Sequence, residues 1–263
     1  MAVDDKLIGF ANRLADAGGA VIRPFFRSTL DVAHKPGQHA FDPVTEADRG
    51  AERAIRAILE RERPDDAILG EEFGDKPGTS GLRWVLDPVD GTRAFITGRH
   101  EWGSLIALEQ DDVPLLGILD QPVLGERFIG VNGRSVLVEG ERRTPLKVRE
   151  CAELKDAILC ATDPSAYMTD DQQAAFARVK AQARMTRYHG DCYLFALLAM
   201  GFVDIVIEAG FKRWDAAALI PLVTGAGGII TAWEGGDCRD GATILACGDS
   251  RVHAHAMALL NAT

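Results

Sequence analysis

Apolar residues recur at three- and four-residue steps near the start of the chain: Leu7, Ala11, Leu14, Gly18, Val21 and Phe25. That spacing lays one stripe along a helix, and Asp4 or Asp5 supplies an oxygen to cap its first turn. A second stripe of Ala47, Ala51, Ile55, Ile58 and Leu59 predicts a helix from Thr45 to Arg63, stopped by Pro64. Between the two, Val32 to Lys35 reads as a short strand ended by Pro36-Gly37. Ala67-Ile68-Leu69 and Trp84-Val85-Leu86 read as short buried strands. The first runs into Gly70-Glu71-Glu72 and the second into Asp87-Pro88-Val89-Asp90-Gly91-Thr92, so both deliver acids at their C-terminal ends.

From Gly103 to Val148 the period changes to two, broken at Asp111-Asp112, Gly125 and Asn132-Gly133, which predicts an antiparallel meander. Ala157 to Cys160 opens a second α/β stretch. Helices are expected near 170–183 and 192–200, a strand at 203–208, a helix from Trp214 to Thr224, and strands at 228–233 and 243–247. A closing helix carries His253 and His255, both expected in solvent. A composition shift near 145–150 marks the one candidate lobe boundary. It divides the chain into an N-terminal α+β lobe, 1–147, and a C-terminal α/β lobe, 148–263, of one catalytic unit.

Composition narrows the function classes. A 263-residue chain that is 47% hydrophobic and 26% charged can bury a real core. No apolar run approaches the roughly 18 residues of a membrane span. Met1 to Lys6 shows no basic head before an apolar stretch, so no secretory signal is expected and the location expected is the cytoplasm. A formal charge of −10 leaves no basic footprint for nucleic acid. The five cysteines, at 151, 160, 192, 238 and 247, form no CxxC pair, which speaks for buried thiols and against a zinc-thiolate site.

The acids are the candidate chemistry. In Asp87-Pro88-Val89-Asp90-Gly91-Thr92 two carboxylates stand three residues apart across a proline-stiffened turn, with the amides of Gly91 and Thr92 at a helix start where a phosphate is welcome. The plain alternative is an ordinary Asp-Gly turn. Asp215 would otherwise be a helix cap, Asp48 the partner of Thr45 in a capping box, and Glu72 a solvated neighbour of Glu71. Taken together, Glu71, Asp87, Asp90 and Asp215 lie at the ends of three elements and can converge on hard cations such as Mg²⁺. His189 has only a structural expectation.

Four pieces carry a resemblance: Asp42-Pro-Val-Thr-Glu-Ala-Asp48, Gly70-Glu-Glu72, Asp87-Pro-Val-Asp-Gly-Thr92 and Trp214-Asp-Ala-Ala217. In this order they resemble the inositol monophosphatase superfamily of metal-dependent phosphatases. The resemblance covers essentially the whole chain. It implies a layered αβαβα sandwich of the inositol monophosphatase and fructose-bisphosphatase type, commonly dimeric, acting on a small phosphate monoester. It implies Glu71, Asp87, Asp90, Asp215 and the carbonyl of Val89 as ligands of two or three Mg²⁺ ions, with Mn²⁺ the alternative. Glu71, Asp48 and Thr92 are the implied catalytic set, the last two orienting the attacking water. Asp90, Gly91, Thr92 and Asp215 are implied around the substrate.

Further stretches are similar to the histidinol-phosphatase branch: Asp87 to Phe95, Gly117 to Pro122, Gly190-Asp-Cys-Tyr193 and Ile207-Glu-Ala-Gly210. Asp191 and Glu208 would suit a cationic amino group, which makes L-histidinol phosphate the expected substrate. The alternative for Asp191 is a cap on the helix that follows. Inositol 1-phosphate is the alternative substrate, and a partner role in transcription complexes, as for some relatives, the alternative of another class. Lys212 and Arg213 are either solvated or placed to meet a second phosphate.

Overall fold

The computed structural model describes residues 2–29, 31–34 and 43–262. Lys35, Pro36, Gly37 and Asp42, on which parts of the expectations above rest, lie outside the described residues. Helix α1 (Asp5–Ile22) is capped by the Asp4 side chain, which accepts from the Leu7 amide at 2.8 Å. A two-stranded ribbon of β1 (Ala33–His34) and β2 (Pro43–Val44) leads to α2 (Glu46–Glu62). The next strands are β3 (Ala67–Gly70), β4 (Gly74–Lys76) and β5 (Leu82–Asp90), followed by the short helix α3 (Thr92–Ile96). The meander is β6 (Gly103–Gln110), β7 (Val113–Gln121), β8 (Glu126–Val131), β9 (Arg134–Glu139) and β10 (Arg142–Pro145). These eight strands form one sheet in the order β10-β9-β8-β7-β6-β5-β3-β4, with β3 and β5 parallel and the rest antiparallel.

The second half opens with β11 (Ile158–Ala161), α4 (Pro164–Tyr167), α5 (Asp170–Lys180), β12 (Met185–Tyr188) and α6 (Tyr193–Ala199). It continues through β13 (Ile205–Phe211), α7 (Arg213–Ala216), α8 (Leu219–Gly225), β14 (Ile229–Thr231), β15 (Ala242–Cys247) and α9 (Ser250–Leu260). Its sheet runs β12-β11-β13-β15-β14.

Period-two burial sorts these elements into five layers. On the outer face of the first sheet, Trp84, Leu86, Ile106 and Ile118 meet Leu14 of α1 and Ile55 and Leu59 of α2. On its inner face, Val85, Leu105, Leu119 and Phe128 meet Phe195 and Leu198 of α6 and Leu222 of α8. The same cluster reaches Val206 and Ala246 of the second sheet, so one core joins residues from both sides of 145–150. Ile205, Ile207 and Leu245 point to the far face, under Phe176 of α5 and Val252 and Ala256 of α9. The stack is αβαβα, as the resemblance implied. All five cysteines are unpaired and buried. No described helix is long and apolar enough to cross a membrane.

Several local readings change. The strand read as Trp84–Leu86 extends to Asp90. The helix expected over Trp214–Thr224 breaks at 217–218, because Pro221 lacks the N–H that would bond the carbonyl four residues back and its ring crowds that carbonyl. Strands β4 and β12 are too short and polar to show a period. His253 is not in solvent: it is buried and hydrogen-bonded to Thr231 Oγ1 at 2.9 Å, and burial lowers its pKa. His255 is exposed as expected.

Candidate active site

Residues three apart on a regular strand face opposite ways. Asp87 and Asp90 escape this because β5 carries an irregularity: Asp87 pairs with Leu105 and Asp90 with Gly103, three steps on one strand against two on the other. The extra residue returns both carboxylates to one side. Pro88 sits within this bulge, where a missing N–H breaks no ladder bond, and Ser104 Oγ donates to its carbonyl at 2.6 Å. The motif is therefore a bulged strand rather than the turn read from sequence.

Asp215 arrives from the second half of the chain as the third residue of α7. It caps that helix, accepting from the Lys212 amide at 2.7 Å, and it also joins the cluster. Oxygens of Asp87, Asp90 and Asp215 all come within 4.8 Å of one another. Asp87 is buried, whereas Asp90 and Asp215 are half-buried as whole residues although their carboxylates are desolvated. Burial lifts Asp87 well above the usual carboxylate range, and the charges of Glu71, Asp90 and Asp215 lift it further. Asp215 is raised well above that range by burial and then by Asp90 and Glu71. Burial also raises Asp90, against a hydrogen bond from the Cys192 amide at 2.7 Å. Three carboxylates forced together at such electrostatic cost, with no thiolate or imidazole in the set, fit a hard divalent cation.

Glu71 lies outside the tight triplet but within hydrogen-bonding reach of Asp87. Its amide continues the β3–β5 ladder to the Leu86 carbonyl at 3.1 Å. A residue missed from sequence holds this corner. Glu52, fully buried on α2, accepts from the amides of Glu72 at 2.8 Å and Phe73 at 3.2 Å. It stands where a Gly70 Cβ would be, at 1.9 Å from Glu52 Oε1, so only glycine fits there. The signal available was spacing: Glu52 lies four residues after Asp48, on the apolar face of the helix. Glu72 is not a solvated neighbour either. Its side chain is 3% exposed, 3.8 Å from Arg49, and it helps raise the pKa of Asp48.

Asp48 serves in two places. Its Oδ2 accepts from Thr45 N at 2.9 Å and Thr45 Oγ1 at 2.6 Å, which makes the capping box, while Oδ1 meets the Thr92 hydroxyl at 3.3 Å. Burial raises its pKa against those bonds from Thr45. Thr92 Oγ1 also lies 3.0 Å from the Val89 carbonyl. Gly91, at φ 87°, precedes α3, so its amide and that of Thr92 stand at a helix start.

Asp191 does not cap the helix after it with its side chain. It lies against Gly91 instead: a Cβ on Gly91 would fall 3.0 Å from Asp191 Cβ. Burial raises its pKa well above normal, reinforced by Asp90, Glu208 and Glu101 and opposed by Arg93. Glu208 is buried behind Thr162, whose amide and hydroxyl donate to Glu208 Oε1 at 2.7 and 2.8 Å. Burial pushes Glu208 up to about 8 despite those bonds. Arg213 is held by carboxylates: its guanidinium binds Glu109 at 3.0 Å, Asp112 at 3.0 Å and Asp240 at 2.6 Å, while Lys212 is exposed before α7. His189 is exposed, with its amide donating to the Thr162 carbonyl at 2.9 Å.

Known proteins share this arrangement of chain and fold. A bifunctional phosphatase IMPL2 of Arabidopsis thaliana is 41% identical over 96% of this chain and 74% of its own. A histidinol-phosphatase of Mycobacterium tuberculosis is 36% identical over the whole of both chains. A solved inositol monophosphatase from Zymomonas mobilis is 40% identical and superposes over the whole of both chains with a TM-score of 0.87. With the inositol monophosphatase family model matching residues 4–262, the chain belongs to the inositol monophosphatase family of phosphatases.

Proposed function

We propose that this phosphatase hydrolyses L-histidinol phosphate to L-histidinol and phosphate with Mg²⁺ as its natural ion, two or three per site, and Mn²⁺ as a substitute. The observation that carries the substrate is Asp191, an acid seated against Gly91 at the edge of the carboxylate cluster with Glu101 and Glu208 nearby. Arg99 already pairs with Glu101 and Arg93 acts on Asp191; a leaving group bearing an ammonium would add a further counter-charge to this acid-rich edge, and an uncharged sugar would add none.

Asp87, Asp90, Asp215, Glu71 and the Val89 carbonyl are the oxygens that would hold the cations. When bound, these supply Lewis-acid neutralisation of the phosphate and acidify water. The chain does the rest by placement. The amides of Gly91 and Thr92 face phosphate oxygens at the start of α3. Thr92 Oγ1 accepts a proton of the attacking water as its own proton moves to Asp48 Oδ1, which burial has made more basic than a free carboxylate. Water adds to phosphorus, the ester P–O bond breaks on the opposite side, the leaving alkoxide takes a proton from solvent water, and Asp48 returns its proton to the solvent. Catalysis is then positioning and electrostatics.

The test is Mg²⁺-dependent phosphate release from L-histidinol phosphate and myo-inositol 1-phosphate side by side, for the wild type and Asp191→Asn. We expect the substitution to cost roughly tenfold or more in kcat/KM on histidinol phosphate and about threefold or less on the inositol ester. Equal losses would remove Asp191 from substrate selection. Wild-type preference for the inositol ester would keep the phosphatase and overturn the substrate.

A further inference from the structure

Three consecutive residues between β12 and α6 have positive φ: His189 at 69°, Gly190 at 137° and Asp191 at 44°. Two of them carry side chains in the left-handed region, which L-residues adopt at a cost. Such a conformation persists only where its surroundings over-determine it.

Thr162, directly after β11, grips this segment at both ends. Its carbonyl accepts from the His189 amide at 2.9 Å, and its Oγ1 accepts from the Asp191 amide at 3.1 Å. A hydroxyl has one proton to give, and here it goes to Glu208 Oε1 at 2.8 Å, leaving a lone pair for Asp191. Glu208 also takes the Thr162 amide at 2.7 Å, so the buried carboxylate fixes the rotamer of the threonine. One residue on, the Cys192 amide donates to Asp90 Oδ2 at 2.7 Å. A continuous path of hydrogen bonds thus runs from Glu208 through Thr162 and the 191–192 backbone to a carboxylate of the candidate metal centre.

We propose that Thr162 is a positioning residue: with Glu208 behind it, it holds loop 189–192 so that the Asp191 carboxylate stands at Gly91 while the Cys192 amide orients Asp90. Selection of a cationic leaving group and orientation of the metal carboxylate are coupled through one hydroxyl. The selectivity half rests on the role given to Asp191 above; the backbone half does not. Through Oε1, Glu208 also supports the substrate edge from behind Thr162.

The experiment compares full-chain Thr162→Val, which removes the hydroxyl at nearly constant shape, with Thr162→Ser, which keeps it. Amide hydrogen exchange at Asp191 and Cys192 is expected to speed up roughly tenfold or more in Thr162→Val and to stay near wild type in Thr162→Ser. The preference for L-histidinol phosphate over myo-inositol 1-phosphate is expected to fall about tenfold in Thr162→Val, chiefly through KM, and no further in Thr162→Val/Asp191→Asn than in Asp191→Asn alone. Thr162→Ala serves as the second hydroxyl-free variant should valine not fold. Unchanged exchange at 191–192 in a folded hydroxyl-free variant, or loss of protection in Thr162→Ser, overturns the proposal. A wild type that ignores substrate charge would overturn the role of Asp191, while the exchange result would still decide the role of Thr162.

Discussion

Neutralising one carboxylate of the acidic cluster should stabilise the protein in the absence of divalent cations. The perturbation is Asp215→Asn, which keeps an oxygen to accept the Lys212 amide and so preserves the helix cap. In the metal-free cluster Asp215 faces Asp87 and Asp90 with oxygens within 4.8 Å. At that distance and an effective dielectric constant of about 20, each fully ionised pair repels by about 3 kcal/mol. The protein relieves this by holding protons, which is why Asp87 and Asp215 are raised well above the usual range. The sign follows: above the unfolded carboxylate value the folded state binds more protons than the unfolded one, so metal-free stability falls as pH rises toward the raised folded values. Part of the repulsion is thus already relieved, and the expected gain for Asp215→Asn at pH 8 is about 1–3 kcal/mol. At roughly 2–4 °C per kcal/mol for a chain of this size, Tm should rise by roughly 2–12 °C in EDTA, and by less at pH 5. Wild type at about 100 times the Kd for Mg²⁺ should gain about 2.7 kcal/mol, and the variant should lose most of that gain together with turnover. Thermal melts at pH 5 and pH 8, each with EDTA and with Mg²⁺, measure the stabilities, and phosphate release measures the turnover. A variant that melts no higher than wild type in EDTA at pH 8, or that gains as much from Mg²⁺, would refute the electrostatic account.

Two further outcomes are expected. Gly70→Ala drives a Cβ into Glu52, whose carboxylate must then release the Glu72 and Phe73 amides. A loss of about 2–4 kcal/mol in denaturant unfolding and at least a tenfold fall in kcat should accompany the displacement of Glu71. His253→Gln should flatten the acid limb of stability. Burial lowers the His253 pKa, so the unfolded chain takes up a proton near pH 6.5 that the folded state refuses, and stability drops as pH falls below that point. Urea midpoints at pH 5 and pH 8 should differ less in the variant than in the wild type.

What the sequence determined by itself was whatever depends on neighbours along the chain. The stripes of α1 and α2, the Asp4 cap and the Thr45–Asp48 box are set within one or two turns, and the structure holds them. Asp87, Asp90 and Asp215 stood out because acids at strand ends and helix starts form an ordered set of motifs, and the fold gathers those three. Tertiary structure alone decided what depends on residues distant in sequence. The bulge that turns Asp87 and Asp90 to one side is a matter of register against β6. Glu52 drew no reading and Glu72 read as a solvated neighbour of Glu71, until burial placed one behind Gly70 and the other beside Asp48. Arg213 read as either solvated or placed for a second phosphate, and its pairing with Glu109, 104 positions away, carries no signal along the chain. Thr162 carried no signal, since a threonine after a short strand is ordinary; its role exists only where β11, β13 and loop 189–192 meet. Periodicity and capping are local physics and can be read along a line, whereas desolvation and hydrogen-bond partnership are properties of a packed volume.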